Sequence, residues 1–405
     1  MKSSKAFKFP QLTTDKNVPL LDLSRQYRTI RDKMSAALIN VNESGQFVLG
    51  PEVQKLETNV ALYSRTKNGI GCASGSDALL LALMAVGIQP GDEVIVPSFT
   101  FFATASCVPR LGAVPVFADI DPVTFNLDPQ NVEQRITSKT KAIIPVHLFG
   151  QMADMVAFRK MTKDHPDPLR QQIALIEDSA QAIGAELNNI PTGNWGDFAC
   201  LSFYPTKNLG GAGDGGMLLT NNDDLANEAV LLRGHGMAPR YYHKKIGINS
   251  RLDSYQAAVL NVKLPYIDIW TKMRQQNAVR YYEMFDKVGL TNTIRLPDLQ
   301  SNRRHVWNQF VIRIPDGLRN ALREELTEHK IGTDIYYPLG LHQQECFQYL
   351  GYAANDLPET LRASEEVLAL PIFPELRIDE QWTVVQGIKK FCDANEGRKV
   401  FPVAA

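Results

Sequence analysis

Leu201-Ser-Phe-Tyr-Pro-Thr-Lys207-Asn-Leu-Gly-Gly-Ala-Gly-Asp-Gly-Gly216 sets one lysine between an apolar run and a cluster of glycines. Phe198 to Phe203 reads as a strand, Pro205 turns the chain, and Met217 to Thr220 reads as a second strand beyond the glycines. A lysine at a strand end, wrapped in backbone with few side chains, suits an amine that forms and breaks a covalent bond in a crowded pocket. Taken alone, the segment also reads as an exposed glycine-rich hairpin, because lysines are seldom buried without a partner. It is not a nucleotide P-loop, since its lysine precedes the glycines and a strand follows where a helix is required.

Around this hairpin, short apolar runs alternate with helical patterns. Strands are expected at Asn68–Cys72, Glu93–Pro97, Ala113–Ala118, Lys141–Val146 and Ile173–Ile176, and helices at Ser76–Val86, Phe101–Arg110, Pro129–Ile136 and Met152–Thr162. Continuous apolar strands between helices imply burial on both faces, hence an α/β fold with a mainly parallel sheet and helices on each side. After the helical pattern Asp223–Leu232 and a basic loop, Arg233 to Asn249, a long helical stretch runs from Leu252 to Lys287, broken at Pro265. Beyond Pro297 a strand alternates over Val306–Arg313. Further strands at Gly332–Tyr337 and Ala369–Ile372, with three helices, make a smaller C-terminal α+β domain. The division expected is an N-terminal tail at 1–18, a large domain at 19–275 and a small domain at 276–405.

A chain of 405 residues exceeds the size at which single cores stop growing, and 44% hydrophobic residues are enough to fill two. Its 43 basic and 44 acidic residues balance, which argues against a nucleic-acid partner. Five cysteines without a CxxC pair fit neither a disulfide framework nor a zinc site, and seven dispersed histidines offer no metal-binding spacing, so no metal is expected. There is no apolar run long enough for a membrane span and no signal-like start, so a cytoplasmic protein is expected.

Two further segments complete a set with Lys207. Ala73-Ser-Gly-Ser76-Asp77 opens an apolar helix, where free N–H groups and the Ser76 hydroxyl suit a phosphate; a plain helix cap is the alternative. Asp178 follows an apolar strand and reads either as a cap or as an acid at the ligand-binding edge of the sheet. A lysine for an aldehyde, donors for a phosphate and an acid for a pyridine nitrogen are together what pyridoxal 5'-phosphate requires. Opposite charges about 4 Å apart attract by roughly 4 kcal/mol at an effective dielectric near 20, enough to raise the pyridine pKa by about two to three units. The ring then stays protonated and accepts electrons.

In Ser74-Gly-Ser-Asp-Ala-Leu79, Gly91–Phe101, Glu177-Asp-Ser-Ala-Gln-Ala182, Ser202–Asn208, Gly213-Asp-Gly-Gly216, Asn249-Ser-Arg-Leu-Asp253 and Pro338-Leu-Gly-Leu-His342, the chain resembles the DegT/DnrJ/EryC1/StrS nucleotide-sugar aminotransferases. The resemblance covers nearly the whole chain and implies the fold type I architecture. It implies Lys207 as the lysine bonded to pyridoxal phosphate, Asp178 as the pyridinium partner, Gln181 as a ring contact, and Phe101 as the stacking aromatic. Gly75, Ser76 and Ser202 would bind the cofactor phosphate. Asn249 would reach the neighbouring subunit's phosphate, so a homodimer with shared active sites is expected. L-glutamate and a keto-sugar nucleotide are the implied substrates. Arg251 and His342 are candidates to bind the sugar nucleotide, Arg240 lies in the densest basic stretch, and Tyr336 is a candidate to stack on the base. His147 reads equally as a core histidine. Some family members carry histidine in place of the lysine and act as dehydratases; Lys207 favours transamination. A non-catalytic regulatory protein of the same fold is the rival from another class.

Overall fold

The computed structural model describes residues 17–395. Its centre is a seven-stranded sheet in the spatial order Asn68–Cys72, Gly216–Thr220, Phe198–Ser202, Ala174–Asp178, Thr140–Ile143, Glu93–Pro97, Val114–Ala118. Only Gly216–Thr220 runs against its neighbours; the other six strands share one direction. The mainly parallel sheet expected from the apolar runs is therefore present. Reversing that single strand is the task of the turn between Ser202 and Gly216, which carries Lys207.

Alternate residues of these strands feed two cores, as a period of two requires. Val94, Val96, Ile176, Cys200 and Leu218 pack with the helices Gly75–Ala85 and Asp223–Leu232. On the opposite face Ala199, Leu201, Met217 and Leu219 meet the helices Pro51–Tyr63 and Ser254–Lys263, while Ile95, Ile143 and Leu175 meet Phe158 of Met155–Met161. Helix Gly75–Ala85 buries six consecutive residues, Ala78 to Leu83, because it is covered by the sheet on one side and by a second helix on the other.

A separate core forms around the antiparallel pair Phe310–Arg313 and Val367–Leu370, covered by helices Arg319–Glu328 and Ile378–Ala394. Helix Ile267–Lys287 joins the two cores: Ile267 packs on the sheet side, whereas Ala278, Tyr281, Met284 and Phe285 belong to the second core. Of the expected tail 1–18, residues 1–16 lie outside the described residues. Val18 is no tail residue: it is fully buried in the second core, donates to Lys330 O and accepts from Gly332 N.

Three expected elements differ. The strand expected over Val306–Arg313 begins at Phe310, because Trp307 has φ 51° and the backbone N–H groups of Val306 and Asn308 donate to Gly150 and Phe149 instead of a neighbouring strand. All four residues of the strand are buried, so its alternation does not mark a wet face. Gly332–Tyr337 makes one bridge, Asp334 with Ala369, and then packs Tyr336 and Tyr337 against the cluster that holds Phe99 and Val146. The helix expected over Phe101–Arg110 is split into Ala103–Ser106 and a tight turn at Pro109–Leu111, since Pro109 has no N–H to continue the ladder.

Candidate active site

Lys207 sits in a turn pinned at several points. Its N–H donates to Tyr204 O, Gly211 N–H to Phe203 O, and Phe203 N–H to Gly215 O. Helix Ser254–Lys263 holds the glycines from behind: Gln256 Oε1 accepts from Ala212 N at 2.8 Å and Lys263 Nζ donates to Gly210 O at 2.6 Å. A Cβ on Gly210 would lie 2.3 Å from Pro205 O, so no other residue fits this fold-back. The Lys207 ammonium has no carboxylate within 4 Å among the described residues. Burial pushes its pKa down to about 8, offset in part by the Asp178 carboxylate.

Asp178 ends the central strand and is 5% exposed. Thr104 Oγ1 donates to its Oδ2 at 2.7 Å and Ala180 N to its Oδ1 at 3.2 Å. Burial raises its pKa, while these two donors and Lys207 act in the opposite direction. Gln181, one turn on, accepts from Phe149 N at 2.6 Å and donates to Tyr337 Oη at 3.3 Å, which fixes its amide at the cavity wall.

The third component is the start of helix Gly75–Ala85. Ser74 caps it, accepting from Asp77 N at 3.1 Å, and leaves the N–H groups of Gly75 and Ser76 for another acceptor. A Cβ on Gly75 would come within 2.7 Å of Ser202 Cβ, and one on Gly216 within 2.3 Å of Ser74 O. The two glycines therefore bring the helix start and the strand end together, forming a cradle of N–H and hydroxyl donors.

All three components line one cavity of about 550 Å³. Gly75, Ser76, Phe101, Asp178, Gln181 and Ser202 reach it with Lys207, and so does Tyr336. Phe101 is 60% exposed, its ring standing at the cavity rim. Asn249, Arg251 and Arg240 do not line it: they are exposed on the 233–251 loop, where Arg251 Nε donates to Asn249 Oδ1 and Arg240 stacks on Tyr241. Among the described residues, Lys207 is the cavity's sole cation.

His342 is a correction. It is 1% exposed, Nδ1 shares a 2.7 Å hydrogen bond with Ser98 Oγ, Nε2 lies 3.2 Å from Ala354 O, and it does not reach the cavity. With both ring nitrogens engaged it braces the 338–354 segment against the end of strand Glu93–Pro97 and has nothing left for a substrate. His147 resolves as a core residue: Ala153 N donates to Nδ1, so Nε2 carries the proton and donates to Glu177 at 2.9 Å. Residues not anticipated include Thr104, Thr206, Gln309 and Tyr337. The dipeptide Tyr336-Tyr337, directly before the quoted Pro338–His342 motif, was the available signal for the last.

The sequence profile of the DegT/DnrJ/EryC1/StrS aminotransferase family matches residues 28–389, and the chain belongs to that family. It is 50% identical, over 93% of its length and 98% of the relative's, to a pleiotropic regulatory protein of Geobacillus stearothermophilus. It is 41% identical, over 91% of its length and 96% of the relative's, to a UDP-N-acetyl-3-dehydro-α-D-glucosamine 3-aminotransferase of Acidithiobacillus ferrooxidans. Its fold matches that of DesV from S. venezuelae, solved in complex with a ketimine intermediate, with a TM-score of 0.88 at 37% identity over 93% of this chain and 99% of that one.

The chain is accordingly an aminotransferase whose cofactor is pyridoxal 5'-phosphate. The donor set fits that group: a cradle that any Cβ at Gly75 would fill, a buried acid with few partners, and a desolvated amine. Among the described residues no cluster has the make-up of a metal site, and no helix is long and apolar enough to cross a membrane.

Proposed function

We propose that the protein transfers the amino group of L-glutamate to a ketone on a nucleoside-diphosphate-linked sugar in a ping-pong cycle, with C3 or C4 as the receiving carbon. The observation that carries this reading is the placement of Lys207, uncommitted to any ion pair, and Asp178 on one cavity that also holds a helix N-terminus. The sugar nucleotide follows from relatives named as UDP- and dTDP-sugar transaminases.

In this reading the Gly75 and Ser76 N–H groups and the Ser76 and Ser202 hydroxyls hold the cofactor phosphate. Phe101 covers the ring, Gln181 orients it, and Asp178 keeps the proton on its nitrogen. The bound cofactor supplies an aldehyde that carries the amino group and a ring that accepts electrons. Lys207 would hold that aldehyde covalently. Freed by the donor, its amine, with a pKa near 8, would take and hand back the proton of the donor's α-carbon, a balance of basicity and acidity that an ordinary lysine lacks near neutral pH. In the second half-reaction it moves the proton the other way.

A homodimer with shared sites belongs to the same proposal. Among the described residues the cavity has no cation besides Lys207, although a diphosphate requires several donors, while Asn249, Arg251 and Arg240 stand on an exposed loop with Tyr241, Tyr242 and Ile246 at 74%, 70% and 93% exposure. A partner's loop brought to the cavity meets both needs. Five cysteines without a disulfide support a cytoplasmic setting for an amino-sugar pathway, whether for a polysaccharide or another glycoside.

The regulatory name of one relative keeps a sensor reading in view. A sensor has no use for both a proton-transfer base and an acid that makes the ring an electron sink, and Lys207 likewise counts against a dehydratase. The test is the visible spectrum of the protein with pyridoxal phosphate. Transamination predicts a band that bleaches with L-glutamate and returns with a keto-sugar nucleotide. A band indifferent to every amino donor would establish the sensor.

A further inference from the structure

Next to the main cavity lies a smaller one of about 100 Å³, lined by Leu20, Thr206, Arg274, Asn308, Gln309 and Tyr336 among others. Thr206, Gln309 and Tyr336 line both spaces, so the small one is an annex that opens beside Lys207. Arg274, on helix Ile267–Lys287, is 5% exposed. Its Nη1 donates to Trp307 O at 3.1 Å and to Ile372 O at 2.7 Å. Among the described residues it makes no other hydrogen bond, and no carboxylate lies within 4 Å; Glu375 acts on it only from farther away.

Buried arginines ordinarily have a carboxylate partner, because carbonyl oxygens accept hydrogen bonds but do not balance the charge. Here Nε and Nη2 keep their donors free, and neither is among the enclosed polar atoms that lack a partner, so both face open space. Asn308, 7% exposed, also leaves its amide oxygen without a donor. The annex thus holds a guanidinium with no carboxylate in contact, whose pKa burial pushes down to about 10, and a wall of otherwise apolar, amide and hydroxyl groups. Its size suits a carboxylate rather than a nucleotide.

Resting on the transaminase reading above, we infer that Arg274 is the anion anchor for a carboxylate of the amino donor, held in the annex while the donor nitrogen reaches the cofactor beside Lys207. The planar fork of Nε and Nη2 pairs with a carboxylate through two parallel bonds. The two carbonyl bonds from Nη1 hold the fork in place before the donor arrives.

The experiment compares the holoenzyme with Arg274→Gln, Arg274→Lys and Leu20→Glu. The last leaves Arg274 and its carbonyl bonds in place but supplies a fixed counter-ion at the annex wall. Calorimetric titration with glutarate, a dicarboxylate without an amine, reads binding apart from turnover. Stopped-flow bleaching reads the first half-reaction with L-glutamate, L-glutamine and L-isoglutamine. Glutarate affinity should fall at least tenfold in Arg274→Gln and Leu20→Glu, with the apparent Kd for L-glutamate rising by a similar factor and the limiting bleaching rate changing less than threefold. Arg274→Lys should recover part of the loss. In the wild type, weakened binding of L-glutamine identifies the γ-carboxylate as the anchored group, and weakened binding of L-isoglutamine the α-carboxylate. Glutarate and L-glutamate affinities within twofold of wild type in both Arg274→Gln and Leu20→Glu would overturn the inference. Should Arg274→Gln fail to fold, Leu20→Glu and Arg274→Lys decide it alone. Failure of the wild type to bleach with any donor would instead overturn the transaminase reading itself.

Discussion

The cavity and the packed interior behind it each contain one buried acid and one desolvated lysine, half-buried at Lys207 and buried at Lys263, and the two sets differ in how they are bonded. Glu177 and Asp178 are neighbours on one strand. Glu177 is wholly enclosed and accepts from His147, from the Thr192 hydroxyl and from the N–H groups of Gly193, Trp195 and Gly196. Asp178 has Thr104 and Ala180 alone, and faces the cavity. Lys207 and Lys263 both have pKa values lowered to about 8 by burial, yet Lys263 is tied to Gly210 O whereas Lys207 Nζ makes no hydrogen bond or ion pair among the described residues. In the proposed reading, chemistry belongs to the set whose bonding is incomplete, while the satisfied set holds the turn and strand end in position.

The contrast is broken most severely at Lys207. Lys207→Ala should retain the fold, because the turn is held by backbone bonds, and should lower transamination by about a thousandfold, as loss of a positioned acid–base group does. Steady-state rates beside an unchanged circular dichroism spectrum check this. Asp178→Asn should still bind cofactor but lose about a hundredfold in kcat, since a neutral amide no longer keeps the ring nitrogen charged. Unchanged rates there would assign that task elsewhere.

A finer test uses pH. Covalent capture of the cofactor requires the neutral Lys207 amine. With a pKa of about 8, the capture rate should fall about tenfold per unit below pH 8 and level off above it. Removing the Asp178 charge removes a stabiliser of the ammonium form, so the midpoint should move down in Asp178→Asn. An upward move would mean that the Asp178 carboxylate does not stabilise the Lys207 ammonium. Thr104→Val, which deletes one donor to the carboxylate, should cost about tenfold in activity, equivalent to roughly 1.4 kcal/mol.

The smallest effect on catalysis should come from the enclosed set. Glu177→Gln exchanges a carboxylate that accepts from several donors for an amide that cannot satisfy them all, at a cost of about 2–3 kcal/mol in stability, with kcat of the folded protein changed less than threefold. Denaturant unfolding run beside steady-state kinetics separates the two quantities. A large loss of kcat at undiminished stability would show that the enclosed acid is not merely structural.

This division also explains what the sequence could convey. The glycine turn, the apolar strands and the serine before an apolar helix each have a local pattern, so Lys207, Ser76 and Asp178 were legible one by one. What assembles them is long-range but regular: strands far apart in sequence pair, and six of them in one direction place their ends on one edge. The wall contributed by Gln309, Tyr336 and Tyr337 was less legible, because it depends on how the second core docks. His342 was misread for a related reason: its motif stands near the site in sequence, but which way a ring turns is decided by a partner, Ser98, that lies 244 residues away. Val18 likewise shows nothing in its own neighbourhood of its pairing with Ile331.

The most direct test of the account is to reduce the cofactor-loaded protein with borohydride, digest it and locate the pyridoxyl group by peptide mass. The account predicts one modified lysine, Lys207, with Lys263 untouched despite its similar pKa. Modification of Lys263, or of any lysine while Lys207 stays free, would contradict it.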